Sequence, residues 1–108
     1  MRDIKDLPIR VRNAENTSDD QDPDGNLNVW KEYAAKHYNW NKKTKCSEYS
    51  CFDDDDLVGA HVDVIEENHP DKGEQFIIPL CRSKNSKQGE EFDIKGDTIL
   101  MPVDELNS

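Results

Sequence analysis

The hydrophobic positions of this chain fall into a few short periodic stretches separated by long polar ones. From about residue 28 to about residue 38, apolar and aromatic residues recur every three or four positions, which is the spacing of a helix that buries one face. Asn28 belongs to the residue types that cap helix N-termini. The predicted buried face comprises Trp30, Tyr33, Ala34, His37 and Tyr38.

After this helix the hydrophobic period changes to that of strands. Residues 57–65 and residues 76–80 predict two strands, and the Asn, Pro, Asp and Gly residues at 68–73 predict the turn of a hairpin between them. Residues 82–89 predict a short polar helix. Residues 92–101 predict a last hairpin that turns at Lys95 to Asp97.

The N-terminal quarter of the chain has little to bury. Residues 7–11 are a candidate for a short strand in which Ile9 and Val11 share a face. Residues 13–28 contain almost no apolar side chains, so ordering them would cost conformational entropy. We expect residues 1–28 to be a largely flexible acidic segment. A single compact α+β domain is predicted over residues 29–103, followed by a tail at 104–108.

Composition and charge limit the functions that this chain can have. With 108 residues, of which 33% are apolar, the chain can bury one modest core. Its formal net charge of −10 repels phosphate backbones and anionic lipid, which argues against general nucleic-acid binding. We expect a cytoplasmic protein, because no apolar run of membrane-spanning length and no secretory leader is evident.

The positive charge is concentrated in one segment. Residues 29–52 hold five basic and two acidic side chains, whereas residues 53–108 hold five basic and fifteen acidic ones. Lysines alternate with aromatic residues in the basic segment, a pattern that single-stranded nucleic acid or another acidic surface could use. The favoured interpretation is that the aromatic residues form the buried face of the helix.

Three cysteines form the most specific pattern in the chain. Cys46 and Cys51 are separated by four residues on a predicted loop, a spacing found in zinc knuckles, and Cys81 follows the second strand of the hairpin. An odd number of cysteines does not suit a closed set of disulfides. The alternative is that the cysteines pack as small buried hydrophobes. The acidic run 53–56 is interpreted as a solvated edge rather than a weak cation site.

Two further motifs carry a resemblance to a known family. They are Gly59-Ala60-His61-Val62 in the first strand of the hairpin and Pro79-Leu80-Cys81-Arg82-Ser83-Lys84-Asn85 at the end of the second. With the two earlier cysteines, residues 44–90 resemble the HNH endonuclease superfamily, and in particular small bacterial proteins with a Cys…Cys…Gly-Ala-His-Val…Pro-Leu-Cys-x-x-His-Asn pattern. The resemblance implies a ββα treble-clef-like core, preceded by the N-terminal helix and followed by the C-terminal hairpin.

The resemblance also implies roles for individual residues. Cys46, Cys51 and Cys81 would be zinc ligands, His61 would occupy the position of the general base, and Asn85 that of a catalytic-metal ligand. This sequence departs from the family at Lys84, where the fourth zinc ligand is expected, because an ammonium group has no lone pair to donate. The fourth ligand would then have to come from His61, His69, His37 or Asn85. A metal-dependent hydrolysis site at the positions of His61 and Asn85 would also lack the ligands that support the metal in this family.

Three functional hypotheses follow from the sequence. The first is a non-catalytic binding module on a degenerate HNH-like treble-clef scaffold, with structural zinc, whose acidic surface engages a protein with a basic surface. The second is a metal-dependent nuclease of the HNH type that uses His61 and Asn85. The third is a nucleic-acid mimic or an inhibitor of a DNA-binding protein, based on the carboxylate density of residues 53–108.

Overall fold

The structure is a computed structural model that describes residues 7–14, 23–85 and 89–104. Its elements in chain order are β1 (Ile9–Asn13), α1 (Pro23–Tyr38), β2 (Leu57–Val64), β3 (Gln75–Cys81), α2 (Arg82–Asn85), β4 (Glu91–Ile94) and β5 (Met101–Pro102). The strands form one antiparallel sheet in the order β4-β1-β2-β3-β5, so the predicted α+β class is confirmed. Neither helix within these ranges combines the length and apolarity needed to cross a membrane.

The predicted central hairpin is present as β2 and β3. The two strands pair along their length, with Val58 opposite Leu80 and Val62 opposite Phe76. In the connecting turn, Asn68 and Gly73 adopt left-handed backbone conformations with φ of 68° and 90°, as residue types that favour turns readily do.

Helix α1 begins at Pro23, earlier than the predicted start near residue 28, and ends at Tyr38 as predicted. A proline in the first turn is tolerated because the backbone N–H groups there have no partner within the helix. At the other end, Asn39 adopts a left-handed conformation with φ of 53°, and the N–H of Trp40 donates to the carbonyl of Ala34 at 3.1 Å. This is a common way to end a helix.

The buried face of α1 lies closer to its N-terminus than predicted. Leu27, Trp30 and Ala34 are buried, whereas His37 and Tyr38 are exposed. The helix packs against the sheet at Gly59, where a Cβ atom would lie 2.6 Å from the backbone nitrogen of Leu27. The absence of a side chain at this position therefore sets how closely the helix approaches β2.

The predicted C-terminal hairpin is wrong, because β4 and β5 lie at opposite ends of the strand order. A turn does occur where expected, since the N–H of Thr98 donates to the carbonyl of Lys95 at 3.1 Å. Strand β4 instead pairs with β1, which places Ile9 opposite Ile94 and brings apolar side chains together across the pair. The chain after the turn then reaches β3 from the other side.

Strand β1 and the first residues of α1 belong to the N-terminal segment that was predicted to be largely flexible. The remainder of that segment, at 1–6 and 15–22, lies outside the described residues, as do the tail positions 105–108 and residues 86–88. The described part of the segment contributes to the core, because Ile9 and Val11 are buried.

Residues 47–49 contact both β3 and the edge strand β4. The N–H of Ser47 donates to the carbonyl of Pro79 on β3, and the N–H of Tyr49 donates to the carbonyl of Asp93 on β4, both at 2.9 Å. Glu48 forms a bridge with Ile94. These contacts tie the loop before β2 to β3 and β4, and the face of the sheet that carries Ile77 and Met101 packs under α1.

Candidate metal centre

The three cysteines meet at one end of the central hairpin. Cys46 and Cys51 lie on the loop between α1 and β2, and Cys81 is the last residue of β3. Their three sulfur atoms all lie within 4.8 Å of one another. The sulfurs of Cys51 and Cys81 are 3.4 Å apart, and the backbone N–H of Cys81 donates to the sulfur of Cys46 at 3.4 Å. The predicted convergence of the three thiols is confirmed.

Backbone hydrogen bonds hold the loop that carries Cys46 and Cys51. The N–H of Cys46 donates to the carbonyl of Asp53 at 2.8 Å, which closes the loop, and the N–H of Cys51 donates to the carbonyl of Glu48 at 3.0 Å. The ammonium group of Lys95 enters the loop and donates to the carbonyls of Cys46, Glu48 and Cys51. The positions of the two thiols are therefore set by contacts from several parts of the fold.

Burial determines the protonation of Cys46 and Cys81. Cys46 is 1% exposed and Cys81 is 9% exposed. Burial is the largest effect on both thiols and raises the pKa of each above its ordinary value. The backbone N–H of Cys81 lowers the pKa of Cys46 in part, whereas hydrogen bonds with the other two cysteines raise the pKa of Cys81 further. In the absence of a cation, these two thiols hold their protons at neutral pH.

An exposed carboxylate lies beside two of the three sulfurs. Oδ2 of Asp53 lies 3.7 Å from the sulfur of Cys51 and 3.7 Å from the sulfur of Cys81. Sequence reasoning missed this residue, because it treated the run 53–56 as a unit. The signal that could have identified it is its position two residues after Cys51, since a ligand so close in sequence to a loop thiol can face the same site.

The separations among Cys51, Cys81 and Asp53 suit ligands of a tetrahedral ion. With metal–sulfur distances of about 2.3 Å and metal–oxygen distances of about 2.1 Å, neighbouring sulfurs would lie about 3.8 Å apart and a sulfur and an oxygen about 3.6 Å apart. The observed separation of Cys51 and Cys81 and the two distances to Asp53 lie within about 0.4 Å of these values. Cys46 and Cys81 are brought together by the hydrogen bond between them.

The histidines named from the sequence lie elsewhere. His61 pairs with Ile77 on the hairpin. Ile77 lies four residues before Cys81 along β3, so roughly 13 Å of strand separates His61 from the cysteine cluster. His69 accepts a hydrogen bond from the N–H of Asp71 at 3.0 Å, and His37 packs on Tyr33 with ring centroids 4.6 Å apart. Among the described residues, the three-thiol cluster therefore contains no histidine.

The remaining predicted site residues lie on α2, directly after Cys81. Asn85 is the last residue of this helix, and its side chain lies outside the described part of the chain. Lys84, which stands where the resemblance implies a fourth ligand, accepts a hydrogen bond on its backbone carbonyl from the side chain of Asn13 at 3.4 Å. The catalytic roles of His61 and Asn85 stay predictions.

No protein-family model matches this chain, and no curated protein or solved structure matches it either. The geometry of the cysteine cluster is therefore the starting point for assigning a function.

Proposed function

We propose that this protein is a non-catalytic binding module whose fold is stabilised by a zinc ion held by Cys46, Cys51, Cys81 and Asp53. The observation that supports this proposal is that three sulfurs lie within 4.8 Å of one another and that a carboxylate oxygen of Asp53 lies 3.7 Å from two of them. Four protein ligands leave no open position for a substrate, so the role of such an ion is structural. It would link the loop before β2 to the end of β3.

The donor atoms favour zinc over harder cations. Thiolates are soft ligands that select zinc or copper(I), whereas magnesium and calcium require sites built from oxygen atoms. A single carboxylate beside three thiolates is compatible with zinc, which accepts sulfur, nitrogen and oxygen ligands.

The order of the elements supports a degenerate treble-clef scaffold. A loop with two thiols precedes the β2–β3 hairpin, and a third thiol lies directly before α2. In the proposed site the fourth ligand comes from the loop rather than from the helix. This arrangement accounts for the presence of Lys84 at the position where the resemblance implies a ligand.

The binding role is assigned to the acidic end of the hairpin, opposite the cysteine cluster. Residues 65–74 carry four carboxylates and one lysine, and that lysine, Lys72, pairs with Glu67 at 2.6 Å. A basic protein surface would complement this charge, and such complementarity mainly increases the association rate and the specificity of binding.

The metal is tested by elemental analysis of the native protein, together with titration of its reactive thiols. We expect one equivalent of zinc and thiols shielded from reagent, and we expect Cys81→Ser to abolish both. His37→Ala is the matched control, because it removes a potential ligand from an exposed position on α1. Native protein that contains no metal and has three reactive thiols would refute the zinc proposal.

The acidic surface is tested with poly-lysine as a defined basic probe in a calorimetric titration. We expect added salt to weaken binding, and we expect the double variant Glu67→Gln with Glu74→Gln to bind less tightly than wild type. The control is Glu32→Gln with Glu90→Gln, which removes the same charge from other exposed positions. Equal losses in the two double variants would show that net charge, not the hairpin end, governs binding.

A further inference from the structure

A cavity of about 490 Å³ lies beside the cysteine loop and is separate from the acidic hairpin end. Both tryptophans of the chain line it, together with Phe52. Its volume lies within the range of about 300–1,000 Å³ that is typical of small-molecule sites in proteins.

The lining of this cavity has the opposite charge to the rest of the protein. Four lysines and one aspartate line it, whereas the whole chain carries a net charge of −10. Three of the lysines come from the basic segment 29–52, and the fold adds Lys95 from a distant part of the chain. A concave, locally positive surface on an acidic protein concentrates anions there.

Two of the lysines are available to an anion. Lys43 is paired with Asp54 at 2.8 Å, and Lys95 donates to the carbonyls of the cysteine loop. Lys42 and Lys45 form no ion pair with other described residues. The ammonium group of Lys42 lies 5.9 Å from the centre of the Trp40 ring. An anion bound to Lys42 would therefore also lie close to an aromatic face.

The aromatic residues provide a wall that is partly fixed and partly exposed. Trp30 is buried, and its indole N–H donates to the carbonyl of Ile99 at 2.8 Å. Trp40 packs edge-on against Trp30 at 6.1 Å, and Phe52 is 66% exposed at the rim. Planar rings stack favourably on such aromatic side chains.

We propose that this cavity binds a nucleoside monophosphate, with its base against Trp40 and Phe52 and its phosphate beside Lys42 and Lys45. The aromatic wall and these two ammonium groups match the two parts of this ligand. A long strand is disfavoured, because its further phosphates would meet the acidic remainder of the surface. The proposal does not depend on a bound metal.

Tryptophan fluorescence is a selective readout, since both tryptophans line the cavity. We would titrate the full chain with adenosine 5′-monophosphate, with inorganic phosphate and with adenosine, both before and after treatment with a chelator. We expect a saturable change with the nucleotide that salt weakens, and binding of phosphate or adenosine alone that is about tenfold weaker or more. The absence of a saturable change with the nucleotide would overturn the proposal.

The lysines are tested with two double variants of equal charge. Lys42→Ala with Lys45→Ala should weaken nucleotide binding about tenfold. Lys31→Ala with Lys36→Ala should leave it unchanged, because these residues are exposed on α1 outside the cavity. Circular dichroism would confirm that both variants fold. Equal weakening in the two variants would overturn the assignment of the phosphate site.

Two further probes test the identity of the occupant. A ten-residue oligothymidylate should bind no more tightly than thymidine monophosphate, and a peptide of alternating aspartate and phenylalanine should not compete. Affinity that increases with strand length would identify single-stranded nucleic acid as the occupant. Binding of the peptide without binding of the nucleotide would identify an acidic protein segment, and either result would overturn the proposal.

Discussion

Lys95 donates a hydrogen bond of 2.6 Å from its ammonium group to the carbonyl oxygen of Cys46, 49 positions earlier in the chain. The same group donates to the carbonyls of Glu48 and Cys51 and lies 4.5 Å from the centre of the Phe52 ring. One cation thus fixes the backbone of the loop that carries two of the three thiols. It also joins the turn after β4 to this loop.

Replacement of Lys95 by methionine should therefore destabilise the fold. Methionine retains a flexible side chain of similar length but cannot donate to the three carbonyls, so we expect a loss of about 2–4 kcal/mol in the free energy of unfolding. Urea denaturation measures this loss. The control Lys72→Met removes an exposed pair with Glu67 and should change stability by less than about 0.5 kcal/mol. Similar losses in the two variants would contradict the structural role of Lys95.

Asp53 should contribute to metal affinity through its side chain alone, because its carbonyl closes the cysteine loop whatever side chain is present. Loss of residues that merely support metal ligands weakens affinity by about 10–100-fold, so Asp53→Ala should weaken zinc binding at least about tenfold. Asp53→Cys should restore it. The measurement is competition with a chromophoric chelator.

The control for this prediction is Asp55→Ala, which removes a carboxylate from the same acidic run. Visible spectra of the cobalt-substituted protein would report whether the coordination stays four-fold in each variant. If Asp53→Ala and Asp55→Ala behave alike, Asp53 is not a ligand, although the three thiols could still hold the metal.

Zinc affinity should increase with pH. Burial raises the pKa of both Cys46 and Cys81, so in the metal-free protein these thiols are protonated at neutral pH and must release their protons when zinc binds. Below the raised pKa values, the apparent association constant should rise at least about a hundredfold per pH unit, because each of these two thiols releases one proton. Chelator competition at pH 6, 7 and 8 measures this slope. A constant affinity over this range would contradict binding by these two thiols.

Removal of zinc should lower the melting temperature. An ion present at a thousand times its Kd stabilises the folded state by about 4 kcal/mol, which corresponds to a decrease of about 15 °C on removal for a domain of this size. Calorimetry with and without a chelator measures the difference. Cys81→Ser should melt at the same temperature in both conditions, and a chelator effect in that variant would show that the metal binds elsewhere.

Those parts of the fold that depend on local pattern could be predicted from the sequence. The end of α1, the β2–β3 hairpin and its turn follow from residue spacing and turn-forming residues. The pairing of β1 with β4 could not, because Ile9 and Ile94 meet across 85 positions and a five-residue strand gives little periodic signal. The turn at Lys95 was visible, but its direction is set by three carbonyls of another loop.

The same distinction applies to the candidate site. Three cysteines have few chemical roles, so their convergence could be predicted from residue type and order. Asp53 is one of 24 acidic residues, and in the sequence only its position two residues after Cys51 distinguishes it from the others. The fold adds its distance of 3.7 Å from two sulfurs, which makes a ligand of so common a residue type recognisable.

The packing of α1 on the sheet gives a prediction that does not involve the metal. A Cβ atom at Gly59 would lie 2.6 Å from the nitrogen of Leu27 and 2.7 Å from the Cβ of Asn26, and backbone atoms of the helix cannot move aside cheaply. Gly59→Ala should therefore displace α1 and destabilise the protein by about 3 kcal/mol. A Cβ atom at Gly73 would meet no atom within 4 Å. Gly73→Ala should therefore lower the free energy of unfolding only by the backbone strain of a φ of 90°, about 1 kcal/mol. Denaturation of the two variants side by side decides this, and a Gly59→Ala protein as stable as Gly73→Ala would show that the helix is not held against β2 at this point.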